Sequence, residues 1–188
     1  MAAVPSLSRS LEYALLGFLN ERPMHGYDIY RELHRPDGIG IVWHITRSQL
    51  YALLVKLEEQ GYISVSLQPQ ENRPTRRIFH LTETGNAAFT SWVVTPVERP
   101  RDIRLEFLVK LYFARREGTE AVFQLVRAQR VRCLEWLANY SARAEACRIT
   151  CPFEWLVWQF RIGQVEAQLK WLERCILHSN EKKNASTE

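Results

Sequence analysis

No stretch of this 188-residue sequence stays apolar for the length of a membrane span. The longest candidate, Leu11 to Leu19, reaches about half of the roughly 20 residues a spanning helix needs, and Glu12 interrupts it. Asn20, Glu21 and Arg22 follow directly, so the segment lacks the small-residue cleavage site of a secretory leader. Cysteine is missing from the whole first half. Cys133, Cys147, Cys151 and Cys175 have no secretory context in which disulfides persist, and reduced, buried thiols are the default reading. Catalytic signatures are missing too: there is no H-E-x-x-H, G-x-S-x-G, C-x-x-C or phosphate-cradling glycine loop. Gly38-Ile39-Gly40 fails as a dinucleotide fingerprint, because Trp43 stands where the third glycine belongs. A soluble, cytoplasmic, non-enzymatic protein without cofactor or membrane partner is the expectation.

A sharper reading of the thiols takes Cys147-x3-Cys151 and Cys175-x2-His178 as four zinc ligands. The surroundings read as helix, without the knuckle turns such sites prefer, so the expected metal set is empty. Net charge is equally uninformative about partners. The chain carries +4, but residues 1–95 hold nine basic and nine acidic side chains, and the excess lies in the second half.

What the chain does have is enough apolar content, 46% against 24% charged, to bury a core. Leu11, Leu15, Phe18 and Leu19 recur at helical spacing over residues 8–21, and Ile29 and Leu33 do so over 26–34. Pro36, Gly38 and Gly40 break the chain before a short β-rich piece, Ile41-Val42-Trp43. Thr46 suits the N-cap of a third helix through Gln60, with Leu50, Leu53, Leu54 and Leu57 buried and Gly61 after its end. The period then falls to two: Tyr62–Leu67 and Arg77–Leu81 read as a hairpin with a long polar tip over Gln68–Arg76, and a fourth helix follows over 83–94.

The second half reads as helices over 103–116, 119–146 and 152–178. In the last, Trp155, Trp158, Ile162, Val165, Leu169, Leu172 and Ile176 alternate spacings of three and four, a heptad seam. Val122, Val126, Cys133, Trp136 and Tyr140 form a looser matching series. Such stripes pack on one another, on a second copy, or on both. Trp155, Ile162, Val165, Leu169, Leu172 and Ile176 are the expected dimer interface. The fold expected is mainly α with a small β-hairpin. It comprises a winged helix-turn-helix over 1–95, a helical dimerisation and effector domain over 96–178, and a disordered tail over 179–188.

The third helix makes a physical case for double-stranded DNA. Arg47, Ser48 and Gln49 at its exposed start, then Tyr51 and Lys56, have the side-chain types that reach base edges and phosphates. Arg73, Arg76 and Arg77 add a basic hairpin tip, and Tyr27 is a candidate phosphate contact. Three ordered segments then carry a resemblance. Leu15-Leu16-Gly17-Phe18-Leu19 with His25-Gly26-Tyr27 comes first, then Leu50-Tyr51 through Leu57-Glu58-Glu59-Gln60-Gly61, then Arg77 through Leu81-Thr82-Glu83-Thr84-Gly85. Together they make residues 8–92 resemble the PadR family of transcriptional regulators. Glu106 to Phe113 and the helices to 178 look like the longer C-terminal domain of its AphA-like subgroup. Ser48 and Gln49 depart from the small residue and threonine common in the family.

The resemblance implies a homodimer on a pseudo-palindromic operator, usually repressing and released by a small aromatic or amphipathic effector. Trp136, Trp155 and Trp158 are the candidate stacking faces for such a ligand. The alternatives are an activator working with a protein partner and a helical interaction protein without DNA binding.

Overall fold

The computed structural model describes the backbone over residues 6–70 and 73–185 and the side chains over 11–69 and 76–178. Contacts divide the chain into two compact units. The first holds residues up to Val93 together with Arg104–Phe113, and the second holds Val94–Ile103 and everything from Ala114.

The first unit runs α1 (Ser6–Glu21), β1 (Met24–His25), α2 (Gly26–Leu33), α3 (Arg47–Glu59), β2 (Ile63–Gln70), β3 (Arg73–Leu81) and α4 (Glu83–Val94). Three helices followed by a hairpin are a winged helix-turn-helix. Leu15, Leu16 and Phe18 of α1, Ile29 and Leu33 of α2, Leu50, Leu54 and Leu57 of α3 and Phe79 of β3 form its core, each at most 1% exposed. Each such side chain contributes roughly 1.5–3 kcal/mol on burial.

Short polar motifs end the helices. Thr46 Oγ1 accepts from the Gln49 N–H, and Gln49 Oε1 accepts from the Thr46 N–H at 2.9 Å, a reciprocal capping box for α3. At the other end Gly61 has φ 74°, and the N–H groups of Gly61 and Tyr62 donate to the Glu58 and Leu57 carbonyls. That is a Schellman stop, which a side chain at Gly61 would strain. Thr82 links strand to helix: its hydroxyl lies 2.8 and 2.9 Å from the Gly61 and Tyr62 carbonyls and accepts the Gly85 N–H at 3.1 Å. A Cβ on Gly85 would stand 2.1 Å from the Tyr62 carbonyl oxygen, which is why glycine follows in that motif.

Several expectations are corrected. Ile41-Val42-Trp43 is not a strand; Ile39–Ile41 is a 3-10 turn whose Ile39 carbonyl accepts from the Val42 and Trp43 N–H groups, and a Cβ on Gly40 would stand 2.6 Å from the Arg35 carbonyl oxygen. The hairpin tip is shorter than expected, because Gln68 and Gln70 pair with Arg76 and Arg73 across a bulge. The sheet also has a third strand, β1, giving the antiparallel order β1-β3-β2.

The unit boundary falls elsewhere than at residue 95. Helix α5 (Glu106–Glu117) begins after a 3-10 turn at Pro100–Arg104, later than the expected residue 103, and its first half completes the winged core. Phe113 meets Phe18 and Phe89 edge-on, with centroids 5.2 and 5.6 Å apart, and lies where a Cβ on Gly17 would clash at 2.6 Å. Lys110, 2% exposed, sits 3.2 Å from Glu106 Oε1 and 5.1 Å over the Trp92 ring, while Trp92 Nε1–H donates to the same carboxylate. The pair and the ring together make a buried ammonium tolerable.

In the second unit α6 (Thr119–Cys147) and α7 (Pro152–Ala185) form a helical hairpin through a turn at 148–151. Buried Gln129 of α6 anchors the preceding segment by accepting the Val97 N–H at 2.8 Å. Val122, Val126 and Cys133 are buried opposite Trp158, Val165 and Leu172. Val165 and Leu172 are therefore covered within one chain and are not presented to a second copy, contrary to the seam reading. Trp155, Ile162, Leu169 and Ile176 stay half-buried. A three-four seam specifies a helical partner, and α6 supplies one in the same chain. Helix α7 also continues to Ala185, into the segment expected to be disordered: Glu181-Lys182-Lys183 is polar but contains no helix breaker. Residues 186–188 of that expected tail lie outside the described residues.

Candidate nucleic-acid interface

The start of α3 is the most exposed polar surface that the cap geometry fixes. Arg47, Ser48 and Gln49 are all exposed, each in the first turn where helical N–H groups point outward. The Arg47 guanidinium lies 5.5 Å over the Tyr27 ring and 5.1 Å over the Tyr30 ring. Two tyrosines of α2 thus hold one arginine of α3 and preset its direction, a cation–π grip of about 0.5–1 kcal/mol per ring at such sites. Tyr30 itself meets the His34 ring, tilted at 32° with centroids 4.0 Å apart, which stiffens the platform. Tyr51, 46% exposed, packs against Gly26, where a Cβ would come within 2.8 Å of its ring. The glycine at the start of α2 and the tyrosine of α3 are thus one contact.

Other candidates are already engaged. Gln49 folds back into the capping box, and its Oε1 also accepts from the Thr46 hydroxyl at 3.2 Å. Ser48 Oγ is 3.1 Å from the same hydroxyl. Lys56 Nζ reaches Glu12 Oε1 of α1 at 2.5 Å, an ion pair whose carboxylate is largely buried. That pair ties α3 to α1 and occupies the Lys56 ammonium within the fold. Arg77 donates to Glu58 at 2.6 Å and lies over Phe79, so its charge is matched by a neighbouring carboxylate at the surface. Arg76, on the opposite face of β3, is exposed. The Arg73 side chain lies outside the described residues.

The pattern missed Arg22 and Arg31. Both flank β1 and stand about two-thirds exposed at the edge of a cleft with His25 and His80. A two-residue strand leaves no period to read.

In the second unit Trp155 and Trp158 do come together, in a cluster with Tyr140, Ala144, Cys147 and Ile162. Trp136 is half-buried and is not among the residues packed on that cluster. The Trp158 ring carries the guanidinium of Arg161 at 4.8 Å and that of Arg143 at 5.2 Å, and its Nε1–H donates to Glu154. No group of three or more His, Cys, Asp or Glu side chains suited to a metal exists among the described residues, so the zinc reading finds no gathered ligand set. Burial pushes the Cys133 and Cys147 thiols up, and Cys175 up to about 11, the protonated state that metals bind poorly. Of the four, Cys151 is exposed, contrary to a uniformly buried set. No described helix is long and apolar enough to cross a membrane.

Residues 15–91 match the transcriptional regulator PadR-like family, and residues 103–178 match the family described as virulence activator alpha C-term. The negative transcriptional regulator PadR of Bacillus subtilis is 25% identical over 174 residues, covering 88% of this chain and 94% of that protein. The Mycobacterium tuberculosis protein named "Probable transcriptional regulator Rv1176c" is 25% identical over 190 residues, covering 93% and 100%. A crystal structure of Bacillus subtilis PadR in complex with operator DNA overlays with a TM-score of 0.46 at 24% identity, covering 90% of this chain and 97% of that one. Residues 15–91 are thus similar to the transcriptional regulator PadR-like family, and the helical segment that follows is similar to the virulence-activator C-terminal family.

Proposed function

We propose that the protein is a homodimeric repressor that inserts the start of α3 into the major groove of a pseudo-palindromic operator and leaves it when a small aromatic or amphipathic effector binds. The observation that carries the reading is Arg47, exposed at a capped helix start and aimed by Tyr27 and Tyr30. Arginine in such a position pairs with guanine O6 and N7, with Ser48 and Tyr51 as phosphate contacts beside it. Arg76 on the wing adds sequence-independent attraction. Gln49 reads a base once its cap bond to Thr46 is exchanged. The relative described as a negative regulator supports repression.

The dimer reading rests on α7. Phe153, Leu156 and Phe160 are 58–80% exposed, and a Cβ on Gly163 would meet nothing, so an apolar face over the first part of the helix is open. With the half-buried Trp155, Ile162, Leu169 and Ile176 beside it, that face suits a second copy, which would hold two recognition helices about 34 Å apart on DNA. Trp155 and Trp158 are the stacking candidates for the effector, with Trp136 further along α6. A ligand there must displace Arg143 or Arg161 from the Trp158 ring. An effector that lowers operator affinity tenfold itself binds about 1.4 kcal/mol more weakly to the DNA-bound form.

The match of residues 103–178 to an activator family favours one second reading, activation through a protein partner. A promoter fusion in a deletion strain separates the two by sign. Gel shifts on the protein's own upstream DNA test the common premise: Arg47→Ala loses binding, and an unchanged shift removes α3 from the recognition role. Titrating planar aromatic compounds against intrinsic fluorescence, with and without operator, tests the effector. A quenching midpoint that DNA leaves unmoved would mean binding without regulation.

A further inference from the structure

Two pairs of cations on the winged unit contrast. Lys56 and Arg77 hold carboxylates at 2.5 and 2.6 Å and are matched. Arg22 and Arg31 have their nearest carboxylates, Glu32 and Asp28, at 4.0 and 3.8 Å, too far for a strong hydrogen bond, and their side chains are 65% and 64% exposed. Both open onto one cleft of about 380 Å³, lined also by Pro23, Met24, His25, Asp28, Ile78 and His80.

The two imidazoles are oriented by the sheet. His25 Nδ1 is 3.1 Å from the Arg77 carbonyl, which can only accept, so Nδ1 carries the proton. His80 Nε2 is 2.7 Å from Ser66 Oγ across the hairpin. Asp28, His25 and His80 do not form a metal-binding group, which leaves the guanidinium donors to define what the cleft takes. Two forked donors with a single carboxylate among the lining side chains, in a concavity of small-ligand size, suit an oxyanion.

We propose that this cleft is a phosphate site, in which Arg22 and Arg31 grip the phosphoryl oxygens and the His25 and His80 rings form the wall. The phosphate is that of the DNA backbone or of a free phosphate ester; the backbone source alone rests on the DNA-binding reading above.

The test compares the wild-type chain with an Arg22→Gln, Arg31→Gln double variant, both substitutions at exposed positions. One arm measures the salt dependence of binding to upstream and unrelated DNA. The other follows the His25 and His80 ring resonances during titration with inorganic phosphate against a chloride control. A backbone site lowers the slope of log K against log salt by about one and weakens both DNAs about equally. A free-ester site leaves the slope unchanged, while phosphate shifts both rings in the wild type and neither in the variant. Equal slopes together with no wild-type-specific shift overturn the proposal. Absence of any DNA binding by the wild type defeats the DNA-binding reading instead, and the phosphate titration then decides the cleft alone.

Discussion

Arg47, Lys56 and Arg77 are three cations on the same winged unit, and their neighbours give them two fates. Arg47 is held outward by tyrosines, whereas Lys56 and Arg77 are held by the carboxylates of Glu12 and Glu58. Arg47→Ala should therefore cost about 1–3 kcal/mol of operator affinity and relax specificity at one base pair, as competition with single-base operator variants would show. Lys56→Ala should behave oppositely. It strands a largely buried carboxylate and lowers stability by about 1–2 kcal/mol, discounted for the lysine's exposure, while the salt dependence of DNA binding stays put. Thermal melts read beside binding isotherms distinguish the two. Residue types announced all three cations, but their partners lie far along the chain, 44 residues away for Lys56 and 19 for Arg77. A sequence pattern reports side-chain chemistry and not which distant carboxylate arrives first.

Among the elements, α3 was legible from end to end because its signals are local: Thr46 three residues before Gln49, a leucine stripe, and Gly61 at the stop. Thr46→Ala removes the cap and should cost about 1 kcal/mol, with Thr46→Ser restoring most of it; urea midpoints at constant m-value would measure both. Helix α7 was legible as a helix and misread as a surface. Its heptad pattern marks Trp158, Val165 and Leu172 as buried but cannot say which helix buries them, and its other apolar face, Leu156 and Phe160, breaks the seam and went unread. Replacing Leu156 and Phe160 together by glutamate should yield folded monomers with weakened operator binding, because both are exposed. Val165→Glu should instead unfold the α6–α7 hairpin, since it places a charge where exposure is 0%. Sedimentation and circular dichroism on the two variants decide it, and a folded dimer of the first would move the interface away from this face.

Over the whole molecule, the chain passes between its two units at Val93, Ile103 and Phe113. Helix four ends near Pro96 and Pro100, a punctuation that reads as a domain boundary, yet Phe107, Lys110 and Phe113 belong to the winged core behind it. The sequence shows where helices stop but not that a later helix returns. A fragment ending at Thr95 should bind hydrophobic dyes and melt without cooperativity. Its core lacks two aromatic rings, each a deletion of about 3–5 kcal/mol. A fragment ending at Glu117 should melt as one transition, and calorimetry of the pair would check this.

That threaded path also constrains how such a gene changes. A recombination breakpoint after Thr95 would deliver a winged unit without the helix that fills it, and a foreign α5 would have to match Gly17, Phe18, Phe89 and Trp92 at once. A foreign C-terminal half can be joined to this winged unit cleanly only after Glu117, where α5 ends. Descent by exchange of parts should therefore carry α5 along with the reader, and lineages that trade C-terminal halves should do so behind it.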